Sequence, residues 1–368
     1  MKIGLVRRGY SATGGAEKYL LRFADAVEAA GHSVILFCDK RWPESVWKNR
    51  QTITFDSVWK SPRCFADALE KANPKSHCDL VFSLERIWNC DVFRAGDGVH
   101  AAWLERRAPF ENTCKTWFRG FQKKHRELIE LEKSLFSPEG NTSVICNSTM
   151  VKTEIETQFG MNGERITVIP NGFDAPERMA DERAAMRQEM RQEMRDSWAV
   201  GPDKKAILFV GSGWERKGLQ FAIDAVEALP DSANVRLIVA GKDKRKPRVK
   251  NTDRIHFAGP VSNLEPVYEA ADSFVLPTLY DPFSNASLEA AAYGLSVVTS
   301  DGNGLAEHIP PLSGKVVSIG NDTVDQLRTA FESLAECDRA EGNRHIIREH
   351  FSTALNQKRT LSFFESRS

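Results

Sequence analysis

Lys2-Ile3-Gly4-Leu5-Val6 is a short apolar run near the start of the chain, and Ser33-Val34-Ile35-Leu36-Phe37 is a second. Between them lie Gly14-Gly15 and an amphipathic stretch with Leu20, Leu21, Phe23, Ala24, Val27 and Ala30, closed by Gly31. Strand, glycine turn, helix and strand in that order make a β-α-β unit, which implies parallel strands joined by a helical crossover. Moving outward, Asp79–Ser83, Asp91–Ala95 and Thr142–Cys146 read as further strands, Thr149–Phe159 as a helix, and Ile166–Ile169 as a strand ending at Pro170-Asn171-Gly172.

A second series begins with strand Lys205–Val210 and the turn Gly211-Ser212-Gly213. It continues through helix Gly218–Leu229, strands Val235–Ala240 and Ile255–Phe257, helix Leu264–Ala270, strand Ser273–Leu276, helix Asn285–Tyr293 and strand Ser296–Thr299. Two α/β series in tandem predict two doubly wound, Rossmann-like domains facing each other across a cleft, residues 1–170 and 171–344. Ligands in such sheets bind beyond the carboxyl ends of the strands, so the loops just after strands are the place to look for a site. Between the two series, Glu177–Trp198 contains Arg-Gln-Glu-Met twice in succession. The four-residue period lines up Met186, Met190 and Met194 in one stripe and Arg187, Arg191 and Arg195 in another. That predicts a charged surface helix whose methionine edge rests on a domain.

The 368 residues carry 50 Lys+Arg against 50 Asp+Glu, so no global field draws the chain to nucleic acid or to an anionic surface, although local patches stay possible. The length suits two domains, and 41% hydrophobic residues argue against a mostly disordered chain. No apolar run reaches the roughly 18–20 residues that cross a bilayer. The apolar part of Met1–Arg8 is too short for a secretory signal, so a cytoplasmic protein is expected. Seven scattered cysteines without a Cys-x-x-Cys pair read as free thiols rather than a zinc or redox site.

Three loops suit a diphosphate. Gly14 and Gly15, at the start of the first helix, let the backbone approach an anion, with free N–H groups pointing toward it. Neither Gly-x-Gly-x-x-Gly nor a Gly-Lys-Ser/Thr P-loop is present. Gly211-Ser212-Gly213-Trp214-Glu215-Arg216-Lys217-Gly218 sets two adjacent cations after a strand and before a helix, where they can neutralise a leaving diphosphate. Asp281-Pro282-Phe283-Ser284-Asn285-Ala286-Ser287-Leu288-Glu289 follows another strand. There Ser284 or Asn285 can cap the helix and leave its early N–H groups open to phosphate. Asp281 before that helix and Glu289 a turn inside it can accept hydrogen bonds from hydroxyl groups, as a sugar and a ribose would offer. The bland alternative, an acid favouring the helix dipole, stands beside this for Asp281.

These residues together resemble the family 4 glycosyltransferases, retaining enzymes of the GT-B architecture. Gly14-Gly15 matches the family's N-terminal glycine loop, and Pro170-Asn171-Gly172-Phe173-Asp174 its Pro-Asn-Gly-x-Asp element. Gly211 with Arg216-Lys217-Gly218 matches its cation loop, Asp281 through Glu289 its Glu-x7-Glu motif, and Gly304-Leu305-Ala306-Glu307 a further element. The departure is Asp281 where the family has Glu, one methylene shorter. The resemblance implies that Glu289 binds the nucleotide ribose and that Arg216 and Lys217 bind the diphosphate. Asp281 and the backbone N–H groups from Phe283 to Ser287 would hold the donor sugar and phosphate. It also implies no bound metal and no cofactor, the UDP-sugar being a substrate, and a final segment near 345–368 that packs back on the first domain. The sequence agrees on metal: it has no Asp-x-Asp and no His-x-x-x-His.

On the acceptor side, Gly96-Asp97-Gly98-Val99-His100 follows the strand Asp91–Ala95. Asp97 is the first candidate for contacting or deprotonating the acceptor hydroxyl, His100 the second, and Glu17 a weaker third; Asp97 between glycines also suits a plain turn. Next, Lys115–Arg126 has five Lys/Arg and no acid. Trp117, Phe118, Arg119, Phe121, Lys123, Lys124 and Arg126 suit a segment lying in an anionic membrane interface. They equally suit aromatics packed into the domain beneath a solvated charged face. No nucleic-acid motif accompanies the patch. Within its family the chain looks most like the lipopolysaccharide core glucosyltransferase I group. That likeness implies transfer of glucose from UDP-glucose to a heptose of the inner core, a lipid-linked glycan acceptor, at the cytoplasmic face of the bacterial inner membrane.

Overall fold

The computed structural model describes all residues except 12–13, 49, 57–60, 111–122, 175–180, 310–312, 336–339, 341 and 367–368, and only the backbone of 181–187 and 334–335. The chain divides into two units, Met1–Pro170 with Gln357–Ser368, and Asn171–Asn356. In the first unit the order is β1 (Lys2–Val6), α1 (Gly15–Ala29), β2 (Ser33–Asp39), β3 (Thr52–Phe55), α2 (Pro62–Lys71), β4 (Leu80–Ser83) and β5 (Val92–Arg94). It continues with α3 (His100–Arg107), α4 (Lys123–Leu135), β6 (Ser143–Cys146), α5 (Thr149–Phe159) and β7 (Ile166–Val168). The second unit holds α6 (Asp181–Ser197), β8 (Lys205–Val210), α7 (Leu219–Glu227), β9 (Val235–Ala240), β10 (Ile255–Gly259) and α8 (Glu265–Ala270). Then come β11 (Ser273–Leu276), α9 (Asn285–Ala292), β12 (Ser296–Ser300), β13 (Gly314–Val317), α10 (Thr323–Ala335) and α11 (Gly342–His350), and α12 (Thr353–Glu365) passes from the second unit into the first.

The sheets run β3-β2-β1-β4-β5-β6-β7 and β10-β9-β8-β11-β12-β13, with every described pairing parallel. Helices cover both faces of such sheets, which is why β2 and β8 are buried along all but their first residue. α1 turns Glu17, Leu20, Phe23, Ala24 and Val27 inward at helical spacing. α5 is bounded by chemistry the sequence shows: Ser148 Oγ accepts from the Val151 amide at 3.3 Å, and Gly160 closes the helix at φ 66°. In both sheets the order reverses beside the first strand, between β1 and β4 and between β8 and β11. Those reversals are where a ligand crevice opens at the carboxyl ends.

Three features differ from, or add to, what the sequence predicts. The second unit runs on to Asn356, so the return to the first unit begins at Gln357 rather than 345. α11 stays behind because Ile347 is buried in the second core, and Asn343 accepts from the Ser313 amide at 2.7 Å and donates to the Leu295 carbonyl at 2.9 Å. β3 and β13 went unread because they are half-exposed edge strands whose apolar signal is weak. On α6 the arginine edge faces inward as well: Arg191 and Arg195 reach the Asp272 carboxylate at 2.6 and 2.9 Å, while of the methionine edge Met194 packs on the second core and Met190 is 44% exposed. Burial works to raise the Asp272 pKa, but the Ala206 amide and Arg195 outweigh it and hold it low.

Candidate active site

The loop 211–218 leaves β8 at the switch point of the second sheet. Gly218 has φ 71°, and a Cβ there would stand 1.9 Å from the Pro277 carbonyl oxygen, so only glycine lets the loop lie against the segment after β11. The loop is laced to that segment from both sides. The Arg216 carbonyl accepts from the Leu279 amide at 2.8 Å and the Thr278 hydroxyl at 2.9 Å, and Arg216 Nη1 donates to the Tyr280 carbonyl at 2.8 Å. Lys217 Nζ pairs with the Asp281 carboxylate, both side chains being almost fully buried. Burial lowers the Lys217 pKa; the Asp281 charge works against that, and Arg216 adds to it. Gly218→Ala should therefore lower the melting temperature and abolish donor binding together, as the backbone clash pushes Arg216 and Lys217 out of place; thermal melts and UDP titration of the variant would check it.

Asp281 is itself fixed by main-chain bonds, its amide to the Gly302 carbonyl and its carbonyl from the Gly304 amide, both 2.8 Å. Buried Asn303 organises the region. Its Oδ1 accepts from the Ser284 and Leu305 amides, each at 3.1 Å, and its Nδ2 donates to Thr299 Oγ1 at 2.9 Å. Ser284 caps α9 by accepting from the Ser287 amide at 3.2 Å. Two of the amides expected to hold phosphate, those of Ser284 and Ser287, are thus already engaged within the chain. The first-turn amides of Asn285 and Ala286 carry that expectation instead, and Phe283 is buried beside them. Exposed Asn285 accepts at Oδ1 from Asn171 Nδ2, 2.8 Å away, which ties the Pro-Asn-Gly element to this helix start. Half-buried Glu289 accepts from the Tyr268 hydroxyl at 3.0 Å. Burial first, and then Glu289, push the Tyr268 hydroxyl well up, so it remains a donor. Neither Asn303 nor Tyr268 was found by sequence reasoning. Asp301-Gly302-Asn303-Gly304 after a strand was a turn signal for the first, and nothing marked the second.

In the first unit a charged cluster sits at the carboxyl ends of β1, β4 and β5. Arg7 faces Glu17 at 3.0 Å, Glu85 at 3.6 Å and Asp97 at 3.8 Å. Burial opposes the Arg7 charge, but the three carboxylates outweigh it and raise its pKa. Asp97 is 62% exposed. Gly14 is the N-cap of α1 and Gly15 its first residue; a Cβ on Gly14 would lie 1.8 Å from Glu17 Oε2. The Glu17 carboxylate lies against Gly14 and is paired with Arg7, so a phosphate expected at Gly14 and Gly15 would meet a like charge there. His100 begins α3, and its Nε2 faces His125 Nδ1 at 2.8 Å. Burial, with Arg86, His125 and Lys124 contributing, pushes His100 down to about 3, so it is a neutral group. Fully buried Glu132 accepts from the His100 amide at 2.6 Å, the Ala101 amide at 3.2 Å and Arg86 Nε at 2.8 Å, fixing the start of α3.

Lys123, Lys124 and Arg126 are exposed on α4, whose opposite face buries Glu127, Leu131, Glu132 and Leu135. Trp117, Phe118, Arg119 and Phe121 lie outside the described residues. Among the described residues no three His, Cys, Asp or Glu side chains group to hold a metal ion, and no helix is long and apolar enough to cross a membrane.

Two parallel-sheet Rossmann-like units, the second with a cation loop at its switch point, define a glycosyltransferase of the GT-B class. The crystal structure of WaaG, a glycosyltransferase involved in lipopolysaccharide biosynthesis, matches with a TM-score of 0.77 at 21% identity over 97% of this chain and 98% of that one. The chain belongs to glycosyltransferase family 4: the pattern described as Glycosyltransferase Family 4 matches residues 13–176, and that described as Glycosyl transferases group 1 matches 204–336. Lipopolysaccharide glucosyltransferase WaaG of Escherichia coli is 22% identical over 317 residues, 82% of this chain and 80% of that protein. Glycogen synthase of Mycobacterium tuberculosis is 31% identical over 340 residues, 80% of this chain and 76% of its own. Anabaena Alr3699/HepE, crystallised with UDP and glucose, matches with a TM-score of 0.68 at 17% identity over the whole of both chains.

Proposed function

We propose that this glycosyltransferase moves a hexose, glucose in the first instance, from a UDP-sugar to a heptose of the lipopolysaccharide inner core, with retention of configuration. The observation that carries the donor half is the Lys217–Asp281 pair, laced by Arg216 at the switch point beside the start of α9. The leaving UDP would place its diphosphate against Arg216, Lys217 and the Asn285 and Ala286 amides. There the fixed cations offset the charge that grows as the glycosidic bond breaks, without a metal ion or any cofactor. Asp281 would share its carboxylate between Lys217 and a sugar hydroxyl, and Glu289, held by Tyr268, would accept from the ribose. In the first unit, exposed Asp97, 3.8 Å from Arg7, is the group for the acceptor hydroxyl. The glucosyltransferase activity named for the Escherichia coli relative, and the UDP and glucose bound by the Anabaena protein, support this donor and acceptor. A lipid-linked acceptor fits an enzyme working peripherally at the inner face of the inner membrane, with Lys123, Lys124 and Arg126 toward anionic lipid.

A panel of UDP-sugars assayed with inner-core lipopolysaccharide tests the reading. UDP-glucose should give turnover and a product whose anomeric proton shows the donor's configuration. Turnover only on another glycolipid or capsular acceptor, or with another nucleotide sugar, would replace the acceptor or the donor while leaving the class intact.

A further inference from the structure

The connection from β9 to β10 reads Lys242-Asp243-Lys244-Arg245-Lys246-Pro247-Arg248-Val249-Lys250, six cations against one acid. All six cations are exposed. Asp243 is occupied by the chain's own backbone, accepting from the Trp214 amide at 2.7 Å and the Arg245 amide at 3.2 Å. Arg245 pairs with Glu215 at 3.0 Å; Lys242, Lys244, Lys246, Arg248 and Lys250 have no ion pair among the described residues. The backbone is nevertheless pinned. The Arg248 amide donates to Gln220 Oε1 at 2.8 Å, the Asn251 amide to Glu227 Oε1 at 2.8 Å, and Val249 packs on the second core. Arg245 is paired, and Arg248 and Lys250 line a pocket shared with Asp224 and Glu227, but Lys242, Lys244 and Lys246 stand close in sequence without such acids. Fixed cations so placed repel one another, and an anionic partner relieves that repulsion. Beside it, Phe257 is 42% exposed and lies 5.7 Å from the Trp214 ring, whose backbone binds Asp243.

We infer that the 242–250 loop with Phe257 is a docking surface of the second unit for an anionic lipid membrane. Cations would meet the headgroups, and one aromatic ring would reach the interface. A single ring is no platform for successive stacked bases, which argues against single-stranded nucleic acid. The loop leaves the carboxyl end of β9, the neighbour of β8, so its first cations lie on the same edge as the Arg216–Lys217 loop, and it then descends along α7 to Glu227. This inference does not depend on the sugar or acceptor proposed above.

The test is sedimentation of the full-length protein with vesicles of phosphatidylcholine containing phosphatidylglycerol, at low salt and without glycan. Lys244→Gln, Lys246→Gln and Arg248→Gln combined should weaken partitioning by about five-fold per cation, about a hundred-fold in all. A second variant, Lys123→Gln, Lys124→Gln and Arg126→Gln combined, reports separately on α4. Unchanged partitioning of the loop variant overturns the inference, whatever the α4 variant does. So does wild-type protein that ignores the vesicles, sediments equally with pure phosphatidylcholine, or binds a single-stranded oligonucleotide more tightly than the vesicles at the same salt.

Discussion

Lys217→Ala is expected to cut turnover by about 10²- to 10³-fold, the loss seen when one preorganised group facing developing charge is removed. Lys217 is suited to that role because its place is fixed before donor arrives: it is buried, paired with Asp281, and follows an arginine held by three hydrogen bonds. No reorganisation is then needed as the diphosphate departs. The same burial complicates the experiment, since removing one partner of a buried pair leaves the other charge stranded. Lys217→Ala should therefore be measured beside the double variant Lys217→Ala with Asp281→Asn, which removes both charges. If the charge on the leaving group is what matters, both variants stay slow while the double variant regains melting temperature. Near-normal turnover in a folded Lys217→Ala protein would dismantle the donor site as drawn here.

Glu289→Ala should lower kcat/KM for the donor by roughly 10- to 100-fold, as expected for a hydrogen bond to a charged acceptor. The loss should fall mainly on KM, because a ribose contact is made in the ground state and the transition state alike. Tyr268 makes the interpretation more demanding, since its buried hydroxyl donates to Glu289 and would lose that acceptor. Glu289→Gln separates the two effects: the amide oxygen can still accept from Tyr268, so the fold should hold while the charge is gone. A donor KM unchanged in both variants would remove Glu289 from the ribose site.

Much of the architecture was legible because parallel strands covered on both faces leave continuous apolar runs. Lys205–Val210, Val235–Ala240 and Ser273–Leu276 stand in the structure at the bounds their sequence predicts. The loop carrying Arg216-Lys217 was legible as a turn too, since its glycines follow a strand, and Gly213 and Gly218 take positive φ there. What escaped were relations across the chain. Asn303 holds the helix start from another loop, and Tyr268 reaches Glu289 from another helix; neither partner is near in sequence. The engagement of the Ser284 and Ser287 amides and the seat of Glu17 over Gly14 are likewise matters of three-dimensional placement. Arg191 and Arg195 show the limit of periodicity: it lined up the stripes, but half-buried Asp272, which draws both arginines inward beside Met194, lies far away in sequence.

Residues 357–368 belong to the first unit, and within it Phe364 lies 5.4 Å from Phe23 and 5.0 Å from Phe82. The Phe364 ring leaves the ribosome only after the entire second unit has been made. The first unit therefore emerges early without the ring that packs beside Phe23 and Phe82. Biogenesis reverses the written order: the segment translated first is the one completed last.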